Sequence, residues 1–185
     1  MIRASILVCA LWISGTALAL EVGGVTLPEK APVGGQELVL NGAGIRTRVI
    51  LKVYVAALYL PQKAGTREAV LAKAPRRIQL TLLRNLSAEQ FVDALNEGLR
   101  DNSSPAEMSA VQAQADQLTA IIKAFKEARE NDVVTLDFVD GATQVGFKGE
   151  ARGTIQGEAF NQALTRIWLG DRPVQSDLKK ALLGG

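Results

Sequence analysis

The 185-residue sequence contains no histidine and a single cysteine. Imidazole is the usual general base near neutral pH and the commonest metal ligand. Its absence, together with the scarcity of thiol, excludes ordinary zinc and copper sites and the Ser/His and Cys/His nucleophile pairs. Chemistry is left to carboxylates, Lys, Arg, Tyr and hydroxyls, and the residues suggest no metal and no cofactor. Charge of one sign is lacking too: 21 basic residues stand against 19 acidic. No basic run or Arg/aromatic stripe points to nucleic acid, and nothing in the overall charge suggests an electrostatic membrane patch. No internal repeat or low-complexity tract is visible.

What is present begins with an N-terminal segment of three parts. Arg3 supplies positive charge, Ile6 to Trp12 is almost wholly apolar, and Gly15-Thr16-Ala17-Leu18-Ala19 ends it with small residues. That is the layout of a secretory signal peptide. A membrane anchor needs roughly 20 apolar residues, and this run meets Ser14 and Gly15 first. Lipidation at Cys9 is disfavoured by Val8 before it and by its early position. The expectation is a signal peptide over 1–19 and one domain over 20–185, exported to a periplasm. Cleavage removes Cys9, so the mature chain carries neither disulfide nor thiol nucleophile.

Pro28 to Gly35 reads as a turn-rich lead-in flanked by short strands. An extended region starts at Glu37. Ile45 to Leu60 is rich in β-branched and aromatic residues without Pro or Gly, which favours strand. Sixteen residues exceed a typical strand, so a turn is expected near Arg48 to Lys52, although no turn residue marks it. Arg76 to Leu83 alternates Ile78, Leu80 and Leu82 with Arg77, Gln79 and Thr81, again a strand. Arg76-Arg77 is expected to be its solvated start.

The middle is helical. Ser87-Ala88-Glu89-Gln90 has the form of a capping box ahead of Phe91, Leu95 and Leu99. Ser104 is a second cap, with Pro105 at the first helical position and Glu107 reaching back. Met108, Val111, Ala115, Leu118, Ile122 and Phe125 then form one apolar stripe, read as a helix-on-sheet core in preference to a cofactor wall. Val133–Val139 and Thr143–Phe147 form a hairpin through Asp140-Gly141, and Thr154-Ile155 adds a short strand. Glu158 to Leu169 is a helix stopped by Gly170, and Ser176 is expected to cap a last helix over Asp177 to Leu183. Strands and helices come in groups, which predicts an α+β fold: an antiparallel sheet with helices on one face.

Leu40-Asn41-Gly42-Ala43-Gly44-Ile45-Arg46, followed by Lys52-Val53-Tyr54-Val55-Ala56-Ala57-Leu58-Tyr59-Leu60, resembles the signature of the chalcone isomerase-like family, most of all its bacterial exported branch. Leu169-Gly170-Asp171 and Ser176-Asp177-Leu178-Lys179-Lys180-Ala181-Leu182 resemble the family's end. The resemblance implies a long antiparallel sheet with a helical layer and a ligand cleft between them. It also implies one of three roles: ring closure of a chalcone, fatty-acid binding without chemistry, or action through partner proteins.

Residue by residue, the resemblance places Arg46 where the enzymes polarise substrate and the fatty-acid binders grip a carboxylate. Tyr54 falls where the binders carry a tyrosine and the enzymes a threonine. Phe91, Gly98 and Ile167 fall where the enzymes carry a tyrosine, an asparagine and, nearby, a second threonine. The hydrogen-bonding set that would hold a developing enolate is thus largely missing, and no catalytic residue is assigned. A guanidinium fork with a phenol suits a carboxylate, and an apolar slot lined by Phe91 and Ile167 suits an acyl chain.

The expectation is a non-catalytic binder of a small apolar acid such as a fatty acid. It would have no nucleic-acid partner and no stable membrane insertion; no protein partner can be named. The alternatives are an isomerase (intramolecular lyase) of unknown substrate and an interaction module with a vestigial pocket. From the residues alone the plainer reading is preferred, with Arg46 a strand-end partner for a carboxylate and Tyr54 a half-buried sheet residue; the resemblance brings the two readings level. Tyr59, Arg84 and Asn85 are assigned no role.

Overall fold

The computed structural model describes residues 19–72 and 75–185. Residues 1–18, which hold Cys9 and nearly all of the expected signal peptide, lie outside the described residues, as do residues 73–74.

In chain order the elements are β1 (Ala19–Val22), β2 (Val25–Pro28), β3 (Lys30–Val33), β4 (Gln36–Arg48), β5 (Leu51–Leu60), α1 (Arg67–Leu71), β6 (Arg76–Leu82), β7 (Leu86–Ser87), α2 (Ala88–Asp101), α3 (Pro105–Ala124), β8 (Glu127–Ala128), β9 (Val133–Val139), β10 (Ala142–Phe147), β11 (Glu150–Gln156), α4 (Glu158–Leu169) and α5 (Ser176–Leu182). Seven strands form one antiparallel sheet in the order β11-β10-β9-β6-β5-β4-β3. The expected α+β architecture is the one observed.

The sheet buries both faces. On one, Ala56, Leu58 and Leu60 of β5 join Ile78, Leu80 and Leu82 of β6 and Val134, Leu136 and Phe138 of β9 beneath the helices. On the other, Val55, Ala57 and Tyr59 pack with Leu38, Leu40 and Leu27. The β1–β2 hairpin supplies the cover there: Leu27 is fully buried, and the Tyr59 hydroxyl donates to Pro28 O at 3.1 Å. Double coverage explains why Val55 to Leu60 reads as a continuous apolar run instead of an alternating one.

The helix starts follow from side-chain caps. Ser87 with Gln90, and Ser104 with Glu107, each close a reciprocal capping box, satisfying donors that the first helical turn leaves free. The last helix differs from expectation. Its cap position is Gln175, whose side chain makes no capping bond and is engaged on β4 instead, and Ser176 is already helical. The lead-in also differs. Lys30–Val33 forms the sheet's edge strand, pairing Ala31 with Leu38 and Pro32 with Glu37. A proline is tolerated there because its missing donor is needed on only one side of an edge strand.

Candidate functional site

The long run from Ile45 to Leu60 turns at Val49-Ile50, with Arg48 opposite Leu51. That tight turn sets Arg46 directly across from Tyr54. Residues opposite each other share a face of the sheet, and Tyr54 packs against the core under the helices. Two sequence-predicted residues are therefore neighbours on the helix-covered face.

Their partners come from the C-terminal part of the chain. The Trp168 indole N–H donates to the Tyr54 hydroxyl at 3.1 Å. The Tyr54 oxygen is thus an acceptor for Trp168, and its own proton has no acceptor among the described residues. Burial pushes the Tyr54 pKa up, against the opposing effects of the Trp168 hydrogen bond and the Arg46 charge. The phenol is neutral and a donor at physiological pH.

Arg46 Nη1 donates to Thr47 O at 2.8 Å and to Gln175 Oε1 at 3.4 Å. The register shift between Arg46 and Thr47 turns the Thr47 N–H out of the ladder, and Gln175 Oε1 accepts it at 2.8 Å. Among the described residues, no carboxylate pairs with Arg46. A strand-end ion pair does not account for it. Nε and Nη2 keep donors without an acceptor among the described residues.

Phe91 and Ile167 stand differently. Phe91 lies in the first turn of α2, half-buried against the helical core. Ile167 is 4 % exposed on α4 and presses on Gly98 of α2, where an added Cβ would sit 2.7 Å from Ile167 Cγ2. Ile167 is next in sequence to Trp168, but its own side chain serves the α2–α4 contact.

The glycine-rich signature before Arg46 is a structural seat. Asn41 occupies a bulge between Leu40 and Gly42, is 6 % exposed, and donates to Ala64 O at 3.0 Å and Leu182 O at 2.7 Å while accepting from Ala64 N at 2.7 Å. A Cβ on Gly42 would collide with Ala181 O, and one on Gly44 would lie 2.9 Å from Ala181 Cβ. The two glycines let α5 lie on the strand backbone, and α5 in turn brings Gln175 to Arg46.

A second polar feature sits at the opposite end of α4, and sequence reasoning missed it. Arg76 is not solvated: it is 2 % exposed. Its Nε donates to Thr165 Oγ1 at 3.1 Å and Nη2 to Asn161 O at 3.3 Å, and its guanidinium lies 4.5 Å from the Phe138 ring centroid. Burial pushes its pKa down to about 10, with Glu158 opposing that shift. A cavity of about 360 Å³ opens beside it, lined also by Phe138, Asp140, Glu158 and Asn161. The signal was in the alternation already noted. Residue 76 shares parity with Ile78, Leu80 and Leu82, so it must face the helices. Arg77, of opposite parity, instead meets Asp137 through two bonds of 2.5 and 2.6 Å. Neither residue begins the strand in solvent.

Among the described residues, no cluster of acidic or thiol ligands is suited to a metal ion, and no helix is long and apolar enough to cross a membrane. No curated protein sequence matches the chain. Among solved structures the fold is similar to that of a fatty-acid binding protein from Arabidopsis thaliana. The TM-score is 0.69 and the identity 14 %, over 86 % of this chain and 92 % of that one. At that identity the likeness speaks for the fold. Residues 19–184 match the family model described as chalcone isomerase-like, and with the seven-stranded sheet and its helical layer this shows that the chain belongs to the chalcone isomerase-like family.

Proposed function

We propose that the chain is a non-catalytic binding protein for a small apolar acid such as a fatty acid, held by its carboxylate at Arg46 and Tyr54. The observation that carries this reading is the cross-strand pairing of a guanidinium and a half-buried neutral phenol, the first without a carboxylate partner and the second without an acceptor for its proton among the described residues. A carboxylate takes parallel bonds from the guanidinium fork and a third from the phenol. The acyl chain would run beneath the helices past Phe91 and Ile167, which requires α2 and α4 to part at Gly98. The fatty-acid binding protein with a similar fold supports the ligand class. The basic, apolar and small-residue parts of 1–19 support export to the periplasm and membership of the family's bacterial exported branch.

An isomerase has less support. Among the described residues, no second ionisable side chain hydrogen-bonds to Arg46 or Tyr54, so no general base stands ready beside a substrate there. The interaction-module reading has one observation in its favour, an exposed apolar segment at Val49 to Leu51.

The test is to purify the mature protein without delipidation, denature it and identify what is released by mass spectrometry, for wild type and for Arg46→Ala. A stoichiometric fatty acid present in the wild type and lost from the variant is the expected result. An empty wild-type protein that also takes up no added fatty acid would sink the reading.

A further inference from the structure

The hairpin that carries Arg46 and Tyr54 ends in three apolar side chains that no described residue covers. Val49 is 92 % exposed, Ile50 86 % and Leu51 51 %. Among the described residues the only other exposed large apolar side chain is Leu20. The exposure is therefore concentrated in one place.

Val49 is also strained. It has φ +59°, and with Arg48 opposite Leu51 it is the first central residue of a two-residue hairpin turn. Glycine is the usual occupant of that position. Positive φ is a genuine outlier for a β-branched residue, whose branched Cβ crowds the backbone there. Folding alone would favour glycine or asparagine at 49 and polar residues at 50 and 51. The chain has the opposite at all three positions.

The surroundings indicate what the tip meets. Arg48 and Lys52 flank it, both exposed, and Arg46 follows one register position further in. Leu40 to Leu60 contains no Asp or Glu. The whole-chain charge balance hides this local excess of positive charge. Three side chains on a narrow ribbon are too few for a stable protein interface, which needs about 1,000 Å². An apolar wedge ringed by Arg and Lys matches a lipid surface instead, with acyl chains for the wedge and anionic headgroups for the cations. Tyr54 lies only three residues beyond Leu51, on the order of 10 Å along the strand.

We propose that the Val49-Ile50-Leu51 tip docks the protein peripherally on an anionic bilayer, bringing the Arg46–Tyr54 pair close to the surface from which an acid ligand leaves the membrane. The docking rests on the tip alone; its use in collecting ligand rests on the fatty-acid reading above.

The experiment is flotation of the mature chain with vesicles of phosphatidylcholine mixed with phosphatidylglycerol, and with phosphatidylcholine alone. Wild type is expected to float with the anionic vesicles and not with the neutral ones. Val49→Gly/Ile50→Asn is expected to lose at least about tenfold in vesicle affinity, in line with removal of most of the buried apolar area. Its melting temperature should rise, because glycine relieves the positive φ. That separates lost docking from lost folding. Arg48→Gln/Lys52→Gln is expected to lose the preference for anionic lipid.

Wild type that fails to float, or a Val49→Gly/Ile50→Asn variant that floats as well as wild type, overturns the proposal. So does sedimentation showing that the tip holds two copies together and that the variant is a monomer. Fatty acid content, read by mass spectrometry on the same samples, is independent. Docking without bound fatty acid would leave the membrane tip standing and remove the ligand reading, and fatty acid without docking would do the reverse.

Discussion

Trp168 donates its indole N–H to the hydroxyl of Tyr54 across 3.1 Å, joining the C-terminal half of α4 to β5. The only other tryptophan, Trp12, belongs to the segment that export would remove. In the mature chain Trp168 is therefore a single fluorescent reporter placed on the proposed carboxylate site. Oleate added to delipidated protein is expected to shift its emission saturably. Tyr54→Phe should weaken oleate binding about tenfold or more, since a hydrogen bond to a charged group contributes about 1.5–3 kcal/mol. A titration with no change in Trp168 emission would argue that the acid binds elsewhere.

Both tyrosines have raised pKa values, Tyr54 and Tyr59 alike through burial. A group that holds its proton more tightly when folded contributes stability that is fully present below its unfolded value and lost as pH rises through the folded one. Absorbance at 295 nm should show less phenolate in the native protein than in the urea-unfolded chain near pH 10, where the latter is half ionised. Resistance to urea should fall as pH rises above that point. A native titration at the ordinary tyrosine pKa would contradict the burial of the Tyr54–Trp168 pair.

Gly98 and Ile167 set the spacing of α2 and α4. Replacing a helical glycine by alanine ordinarily stabilises by about 1 kcal/mol. Here the new Cβ would come within 2.7 Å of Ile167 Cγ2, and the β-branched isoleucine has little freedom to move aside. Overpacking of this kind costs about 1–3 kcal/mol, so Gly98→Ala is expected to be destabilising in urea melts. Gly98→Ala should cost less in an Ile167→Ala chain, which lacks both the Cγ2 and the Cγ1 that the new Cβ would meet. If the helices part there to admit an acyl chain, the alanine variant should also bind fatty acid differently from wild type.

Arg76 is a buried cation with neutral acceptors, an aromatic face and no ion-pair partner among the described residues. A buried charge carries a desolvation cost that an apolar side chain of similar volume avoids, and Thr165 keeps its own bond to Asn161 O at 2.7 Å, so neither acceptor is left bare. Arg76→Met is expected to stay within about 1 kcal/mol of wild type. Arg76→Ala should lose about 3 kcal/mol, as large-to-small core changes do. Equal losses in chemical denaturation would mean that the charge itself holds α4 on the sheet.

Much of the fold was legible from neighbouring residues. The two capping boxes, the proline at the start of α3, the Asp140-Gly141 turn and the bounds of α4 each depend on groups a few residues apart, and such short-range chemistry is written directly in the order of residues. The Val49-Ile50 turn was located only roughly, because neither residue is a turn former and the reversal is imposed by the pairing of β4 with β5. The edge strand β3 was missed because Pro28 and Pro32 suggest a turn, whereas an edge needs bonds on one side only. Of the site, Arg46 and Tyr54 were named from resemblance. Trp168 and Gln175, which orient them, were not, since they lie more than a hundred residues away.

By itself the sequence determined the α+β class, the absence of histidine, the single cysteine, and the alternation that sends residues 76, 78, 80 and 82 to one face of a strand. These depend on composition and on periods of two and 3.6 residues. Only the tertiary structure decided that Arg76 is buried beneath α4 and that, among the described residues, Arg46 has no carboxylate partner and the apolar residues at 49 to 51 have no cover. Each of those depends on what another part of the chain brings to the same place, and a residue's own neighbours in sequence carry no record of that.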